Sequence, residues 1–363
     1  MKAAVLNAAP GQLDIEDVQI DSPGPREVLI DTKAAGLCHS DLHFMEAKYP
    51  YPLPAVLGHE SAGVVVEVGS DVHYVQPGDH VITCLSAFCG TCEQCISGHL
   101  SRCERKSTEL VRQPGQPSRL SRGDEPVSTF LHLSSFAEQM LVHEHALVKI
   151  AEEMPLDKAA LIGCGVTTGL GAVFRTARVE PGSTMAVIGC GGIGLSAIQG
   201  GRIAGANRVI AVDTNPAKLE LAQALGATHV VNASDGDPVD QIRELTDGQG
   251  VHHSFEAVGM KETAEQAFRM IRAGGQATVI GMIPVGTKVE LHGPDFLSEK
   301  TMTGSNMGSN QFRTDMPRFV DMYLDGRLKL DEMVSKHIKL EEINDGFDEM
   351  KTGNVARSVI TFD

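Results

Sequence analysis

The sequence is poor in positive charge. Its 31 lysines and arginines face 47 aspartates and glutamates, for a formal net charge of -16. That balance disfavours nonspecific binding to nucleic acid or to an anionic membrane surface. A lipid-spanning run is also lacking. The longest uncharged stretch, residues 181–201, is long enough to raise the question. It carries seven glycines, however, and so suits a strand, a tight turn and a helix far better than a lipid-facing segment. After Met1 and Lys2, a short apolar stretch is broken by Asn7, Pro10 and Gly11. It reads as a first strand and not as a signal peptide. There is no internal repeat and no low-complexity linker.

What is present points to a folded chain of two domains. Its 363 residues exceed one ordinary core, and 42% apolar with 21% charged residues gives material for real cores. The first 150 residues alternate short β-like runs (Val28–Thr32, Gly63–Val68, His80–Cys84) with Gly/Pro turns, the look of an antiparallel, barrel-like unit. A helical stretch begins at Asp157 and leads into Cys164. From about residue 165, strands alternate with helices: strands at Thr184–Ile188, Arg208–Asp213, His229–Val231, His253–Glu256 and Ala277–Ile280, helices at Gly192–Ala204, Pro216–Leu225, Asp237–Thr246 and Lys261–Ile271. Repeated βαβ units predict a parallel sheet covered on both faces. Met316–Asp325 and Leu340–Lys351 read as helices, and Ser358–Phe362 as a closing strand. One stretch runs against the acidic trend: Arg102, Arg105, Lys106, Arg112, Arg119 and Arg122 accompany only Glu104 and Glu109. It reads as a solvated basic loop in preference to a ligand-steering patch.

Eight cysteines are present, and four crowd into fifteen residues as Cys89, Cys92, Cys95 and Cys103, spaced C-x2-C-x2-C-x7-C. Such clustering in a large chain points to metal and a reducing cytoplasm, not to disulfides. Four thiolates match the tetrahedral demand of zinc and close its shell, so the cluster is expected to be structural. An iron–sulfur cluster is the rival, but that motif continues C-x3-C-P, whereas here the fourth cysteine comes later and precedes Glu104.

A second set is dispersed. Cys38-His39-Ser40-Asp41-Leu42-His43 sits in what reads as a polar loop, His59-Glu60 follows, and Cys164 lies far downstream. A Cys₂His set leaves zinc one open position, as catalytic sites require. Taken singly, each cysteine also reads as a small core residue and each histidine as a satisfied polar group.

Strand Thr184–Ile188 runs into Gly189-Cys190-Gly191-Gly192-Ile193-Gly194, which opens a helix, and Asp213 ends the next strand nineteen residues after Gly194. This is the context that a dinucleotide fingerprint needs. Gly189 allows the tight turn, Gly191 lets a pyrophosphate approach the backbone, and Gly194 permits close helix–strand packing. The Asp213 carboxylate accepts a ribose 2′-OH and repels a 2′-phosphate, which favours NAD over NADP.

Together these segments resemble the zinc-dependent medium-chain alcohol dehydrogenase family, from Val28 to Phe362. The most specific parts are the GHE-x2-G-x5-G pattern at Gly58–Gly69, the four-cysteine lobe, and GCGVTTG at Gly163–Gly169. The resemblance implies an α/β protein: a GroES-like catalytic domain (1–165) bearing a structural zinc lobe, a doubly wound Rossmann domain (166–306), and a C-terminal return to the first domain (307–363). It implies NAD and two zinc ions per subunit. Cys38, His59 and Cys164 would bind the catalytic zinc, with Glu60 able to approach it and Asp41 supporting His59. Ser40 would take the alcohol proton and pass it through the coenzyme ribose to His43. Lys218 would lie near the adenosine ribose. Thr168, Val258 and the Ile280-Gly281-Met282 turn would lie at the nicotinamide, and His39 and Arg357 at the pyrophosphate. Leu85 and Tyr49 would line an apolar pocket, which suggests primary or aromatic alcohols.

The long loop after the lobe resembles the branch that contains the glutathione-dependent formaldehyde dehydrogenases. Tyr49 and Ser107 depart from that branch, where an acidic residue and an arginine stand, though Arg105 and Lys106 are near. The further alternatives are a polyol dehydrogenase, a zinc-free quinone reductase and a catalytically silent NAD-binding module. The cysteine sets oppose the zinc-free reading, and the intact triad opposes the silent one. The expected partners are a small alcohol or aldehyde and a second copy of the chain, as a homodimer or a tetramer, with neither nucleic acid nor membrane.

Overall fold

The computed structural model describes residues 1–113, 115–353 and 357–362. Two compact units emerge: Met1–Cys164 with Gln311–Asp363, and Gly165–Asn310.

The first unit is β-rich. One sheet runs Leu147–Lys149, His80–Thr83, Ser61–Val68, Glu27–Gly36, Ser358–Thr361, Lys336–Ile338, and Gln139–His143 also pairs with Glu27–Gly36. A second sheet runs Leu13–Asp17, Lys2–Leu6, Ala55–Val56, Glu125–Thr129, Leu120–Arg122, Gln19–Ile20. Most pairings are antiparallel, as the turn-rich sequence leads one to expect. Two are not: Ala55–Val56 with Glu125–Thr129, and Lys336–Ile338 with Ser358–Thr361, are parallel. In both cases the partners are separated by a long or helical connection, which is what parallel pairing demands. The basic loop differs more from expectation. Arg119 and Arg112 are not solvated; both pair with buried Glu27, at 2.6 and 2.7 Å, and Arg112 also meets Asp21. Arg122 reaches Glu16 and Glu125. Apart from Glu125, the carboxylates that meet Arg112, Arg119 and Arg122 come from about 85 to 106 residues upstream, beyond the reach of a local charge count.

The tail is an integral part of this unit. Strand Ser358–Thr361 lies antiparallel on Glu27–Gly36. Ile338, Leu340, Ile343, Phe347, Met350 and Ile360 complete a core with Leu6, Leu37, Leu57, Phe130 and Phe136. The helix expected at Met316–Asp325 begins earlier, at Phe312, and runs to Leu324. Phe312 is fully buried, and Arg313 beside it stacks over Tyr74 at 3.9 Å. The stretch expected as Leu340–Lys351 is a short 3₁₀ turn followed by a helix at Ile343–Lys351.

The second unit is a six-stranded, all-parallel sheet. Its strand order is His229–Asn232, Arg208–Asp213, Thr184–Ile188, Val251–Glu256, Ile271–Val279, Thr301–Gly304. Chain order reverses between Thr184–Ile188 and Val251–Glu256, so right-handed crossovers place helices on both faces and open a crevice at the carboxyl ends of those two strands. The fifth strand begins at Ile271 and not at Ala277. Helix Lys261–Met270 ends there, and the Arg272–Gly275 stretch bulges out, shifting the register between the Val251–Ile271 and His253–Gln276 pairs. One described helix, Leu156–Ala177, is long and apolar enough to cross a membrane, but 83% of its apolar window is buried inside the protein.

Candidate active site

Cys38 follows strand Glu27–Gly36 and caps helix His39–Met45. The polar loop expected here is thus a short helix, because Leu42 and Met45 lie three apart and bury one face. His59 follows Gly58, whose φ of +92° and crowding by Phe136 leave no room for a side chain. Cys164 comes just after helix Leu156–Leu161. These three segments bring Cys38 Sγ, His59 and Cys164 Sγ within 4.8 Å of one another, all buried. Cys164 Sγ is 3.2 Å from His59 Nε2. His59 Nδ1 lies 3.0 Å from Asp41 Oδ1, which also accepts the Gly58 N–H at 3.1 Å. That bond places the imidazole proton on Nδ1 and leaves Nε2 for a metal.

The protonation of the trio suits a cation. Hydrogen bonding from Cys164 holds the Cys38 thiol well below its usual range, helped by Arg357 and His59. The same contact with Cys38 pushes Cys164 well above its range. Burial opposes charge on His59, yet Asp41 and Cys38 outweigh it and raise its pKa. Two sulfurs and an imidazole thus compete for too few protons in a buried site. A bound dication resolves this by taking both thiolates and a neutral imidazole. Zinc fits this donor set, with one position left open.

Glu60 is fully buried behind the trio, pressed against Gly36, where any side chain would collide with its carboxylate. Arg357 is buried as well. It donates to Leu37 O at 3.1 Å and lies 3.5 Å from Glu60. Burial works against its charge, but Glu60, Cys38 and Cys164 hold it protonated. The contacts that the structure gives Arg357 are therefore with the Leu37 carbonyl and the Glu60 carboxylate of its own unit. Ser40 Oγ is 3.7 Å from Cys38 Sγ. His43 is half-buried, and burial and Lys48 lower its pKa, which keeps it a neutral base. Tyr49 lies 6.1 Å from the His43 ring, and Leu85 packs on the core beside Val81 and Leu133. His39 is exposed.

The second cluster is self-contained. Cys92 caps helix Glu93–Ile96. Cys95 Sγ stands 3.5 Å from Cys92 Sγ and 3.9 Å from Cys89 Sγ, and all four cysteines are buried free thiols. Tetrahedral zinc with ordinary Zn–S bonds sets its sulfurs roughly 3.8 Å apart. Backbone N–H groups already point at the sulfurs: those of Thr91 and Cys92 at Cys89, and that of Cys89 at Cys103. Such bonds stabilise thiolate.

In the second unit, Gly189 turns with φ +94°, and Gly194 packs so closely on the Gly189 carbonyl that a side chain is excluded. Gly192 and Ile193 open helix Gly192–Ile203. Asp213 accepts the Cys190 N–H at 2.7 Å and the Asn215 N–H at 2.9 Å, so it braces the glycine turn from the next strand. Lys218 is half-buried one turn into helix Pro216–Ala224. Thr168 is buried with its hydroxyl 3.3 Å from Met307 Sδ, while Val258 stays 45% exposed at the strand ends near buried Ile280 and half-buried Met282.

Three features escaped the sequence reading. Phe44, Tyr51 and Phe130 pack edge-to-face 4.8–5.7 Å apart, with Phe130 against His59. Lys106 is half-buried and has no carboxylate partner among the described residues. Glu256 is a fully buried carboxylate at a strand end in the crevice. The last had a visible signal, an acid placed directly before Ala257-Val258-Gly259 at the end of an apolar strand.

Comparison with known proteins agrees with this architecture. Residues 24–152 match the alcohol dehydrogenase GroES-like domain, and residues 192–323 the zinc-binding dehydrogenase domain. The chain is 39% identical to an alcohol dehydrogenase class-3 of Cereibacter sphaeroides, and 37% identical to an S-(hydroxymethyl)glutathione dehydrogenase of Paracoccus denitrificans, over 99% of each chain. The benzyl alcohol dehydrogenase of Acinetobacter calcoaceticus superposes with a TM-score of 0.94 at 33% identity, covering 100% of this chain and 99% of that one. The chain belongs to the zinc-dependent medium-chain alcohol dehydrogenase family and is an NAD-dependent oxidoreductase acting on small-molecule alcohols.

Proposed function

We propose that the alcohol is the hydroxymethyl adduct of a carboxylate-bearing thiol, of the S-(hydroxymethyl)glutathione class. Among the relatives, the glutathione-linked enzymes support this better than they support a preference for plain primary or aromatic alcohols. Lys106 carries the reading. Its ammonium faces half-buried His132, whose pKa burial lowers to about 4 with Lys106 adding to the effect, and it acts weakly against the rise that burial imposes on the Cys84 thiol. It has no carboxylate partner among the described residues, so it is available to a substrate carboxylate. It stands one residue before Ser107, where the glutathione-linked enzymes carry an arginine.

When bound, zinc supplies the Lewis acid and NAD the hydride acceptor. Cys38, His59 and Cys164 would hold the zinc, and Asp41 orients His59. Ser40 accepts the alcohol proton, and His43, kept neutral by burial, passes it to solvent. In the second unit, Gly189, Gly191, Gly192, Ile193 and Gly194 would receive the pyrophosphate, Asp213 and Lys218 the adenosine ribose, and Thr168, Val258, Ile280 and Met282 the nicotinamide.

The test is NADH formation at 340 nm with formaldehyde, with and without glutathione. Lys106→Ala is expected to raise KM for the adduct by about tenfold, the worth of one charge-assisted bond. A second reading, oxidation of benzyl-type alcohols, draws on the Phe44, Tyr49, Tyr51 and Phe130 rings near His43. Fast benzyl alcohol turnover without thiol, unchanged in Lys106→Ala, would replace the first reading with the second.

We also infer a homodimer. Strand Thr301–Gly304 is an edge with an open side, and the segments before it expose Val285 and Leu297 at 77% and 89%. A monomer by light scattering would overturn this. Eight free thiols suit the reducing cytoplasm.

A further inference from the structure

Glu256 ends strand Val251–Glu256, paired in register with Ile188 at the point where the strand order reverses. It is fully buried. Its Oε1 accepts three hydrogen bonds: from Val258 N at 2.8 Å, Gly259 N at 2.7 Å and the Thr263 hydroxyl at 2.8 Å. Its Oε2 has no partner among the described residues. No lysine, arginine or histidine among them forms an ion pair with it. A side chain at Gly281 would come within 2.6 Å of Oε2, so that glycine keeps space beside the bare oxygen.

The surroundings are the three turns at the carboxyl ends of adjacent strands. Ala257 N donates to Ile188 O, and the Val258 side chain lies against Gly189. Ile280 N and Gly281 N donate to the Glu256 carbonyl. Three donors converge on one oxygen and stabilise negative charge there, but they are dipoles and leave the net charge in place. A buried charge with no countercharge is expensive unless a cation arrives.

The coenzyme brings a cation in only one of its two states: the oxidised nicotinamide ring is a pyridinium, and the reduced ring is neutral. We propose that Glu256 biases the site toward the oxidised coenzyme, acting through the field of its carboxylate on the ring without touching substrate. This rests on the nicotinamide lying at Val258, Ile280 and Met282. It assigns a further role to this strand end: Glu256 sets the ratio of NAD to NADH affinity as well as the shape of the turn.

The experiment measures dissociation constants of the wild-type zinc enzyme and of Glu256→Gln. NADH is followed by the change in its own fluorescence, in a protein that has no tryptophan, and NAD by displacement of NADH. The expected result is a rise in Kd(NAD)/Kd(NADH) of about fivefold or more in Glu256→Gln, since removing a unit charge weakens only the cationic form. Equal weakening of both coenzymes, or no change in the ratio, would overturn the proposal and leave Glu256 a brace for the turn. Should Glu256→Gln fail to fold, Thr263→Val decides. It removes one donor and leaves more uncompensated charge, so the ratio should fall by about twofold, and an unchanged ratio overturns the proposal. If the wild type binds neither coenzyme, the nicotinamide reading itself is wrong, an outcome distinct from an unchanged ratio.

Discussion

The two cysteine sets solve opposite problems. Cys89, Cys92, Cys95 and Cys103 come from one short lobe, and backbone amides already face two of their sulfurs. Cys38, His59 and Cys164 come from three segments spanning 126 positions, held by a sheet, a helix and Asp41. The lobe offers four sulfurs, enough to close a zinc shell; the dispersed trio offers three donors, which would leave one position open, with Glu60 and Arg357 buried beside them. A local site is therefore built for holding shape, and a dispersed one for exposing a reactive position.

Substitutions can break or sharpen this contrast. Cys38→Ser is expected to lower kcat by at least about a thousandfold, since the Lewis acid is worth several kcal/mol. Metal analysis should show zinc falling from two toward one per subunit, with the thermal midpoint little changed. Cys103→Ala should do the reverse. Opening the lobe is expected to remove about 3 kcal/mol and lower the melting temperature by about 10 °C, while metal-loaded molecules that remain folded keep most of their turnover. If both variants lose activity and stability in equal measure, the division of labour is wrong. Asp41→Asn keeps the volume and removes the charge behind His59. It should cost about 10–100-fold in catalytic zinc affinity, measured by competition with a chelator, and leave the lobe's zinc untouched.

The smallest effect is expected from pH. The lobe meets the rest of its unit through Phe88, which stacks on His145 at 4.5 Å, and His145 adjoins His143. Burial pushes His143 down to about 3, with His145 and Arg26 adding to the effect. The folded pKa lies below the unfolded value near 6.5, so the unfolded chain binds the extra proton. The stability this histidine contributes is thus full above about pH 6.5 and drains away as pH falls toward 3. His143→Gln should flatten the fall in urea midpoint between pH 7 and pH 5, and an identical slope in both proteins would rule this out.

Much of this was legible because its signals are local. The lobe spacing, the glycine turn with Asp213 and the βαβ alternation each sit within one or two elements. What was not legible depends on distant partners. The pairing of Glu60 with Arg357 joins positions almost 300 apart, and that of Arg119 with Glu27 joins positions 92 apart. A charge count sees Arg119 as one more surface cation, whereas the fold makes it a buried partner. The helix at His39–Met45 was hidden for a related reason: its polar residues dominate the reading, and Leu42 and Met45 betray it only once a core exists to receive them. Lys106 and Glu256 stand out because neither has an oppositely charged partner among the described residues, and a sequence does not display an absent countercharge.

The strand Ser358–Thr361 bears on the timing of synthesis. It is stitched between Glu27–Gly36 and Lys336–Ile338, and it follows directly on Arg357, whose guanidinium meets Leu37 and Glu60. All four sulfurs of the cysteine lobe are present in a nascent chain once residue 103 has been made. The Cys38–His59–Cys164 pocket must wait for residues 357–361, so a chain terminated before them would lack the strand and the guanidinium that back its candidate metal site.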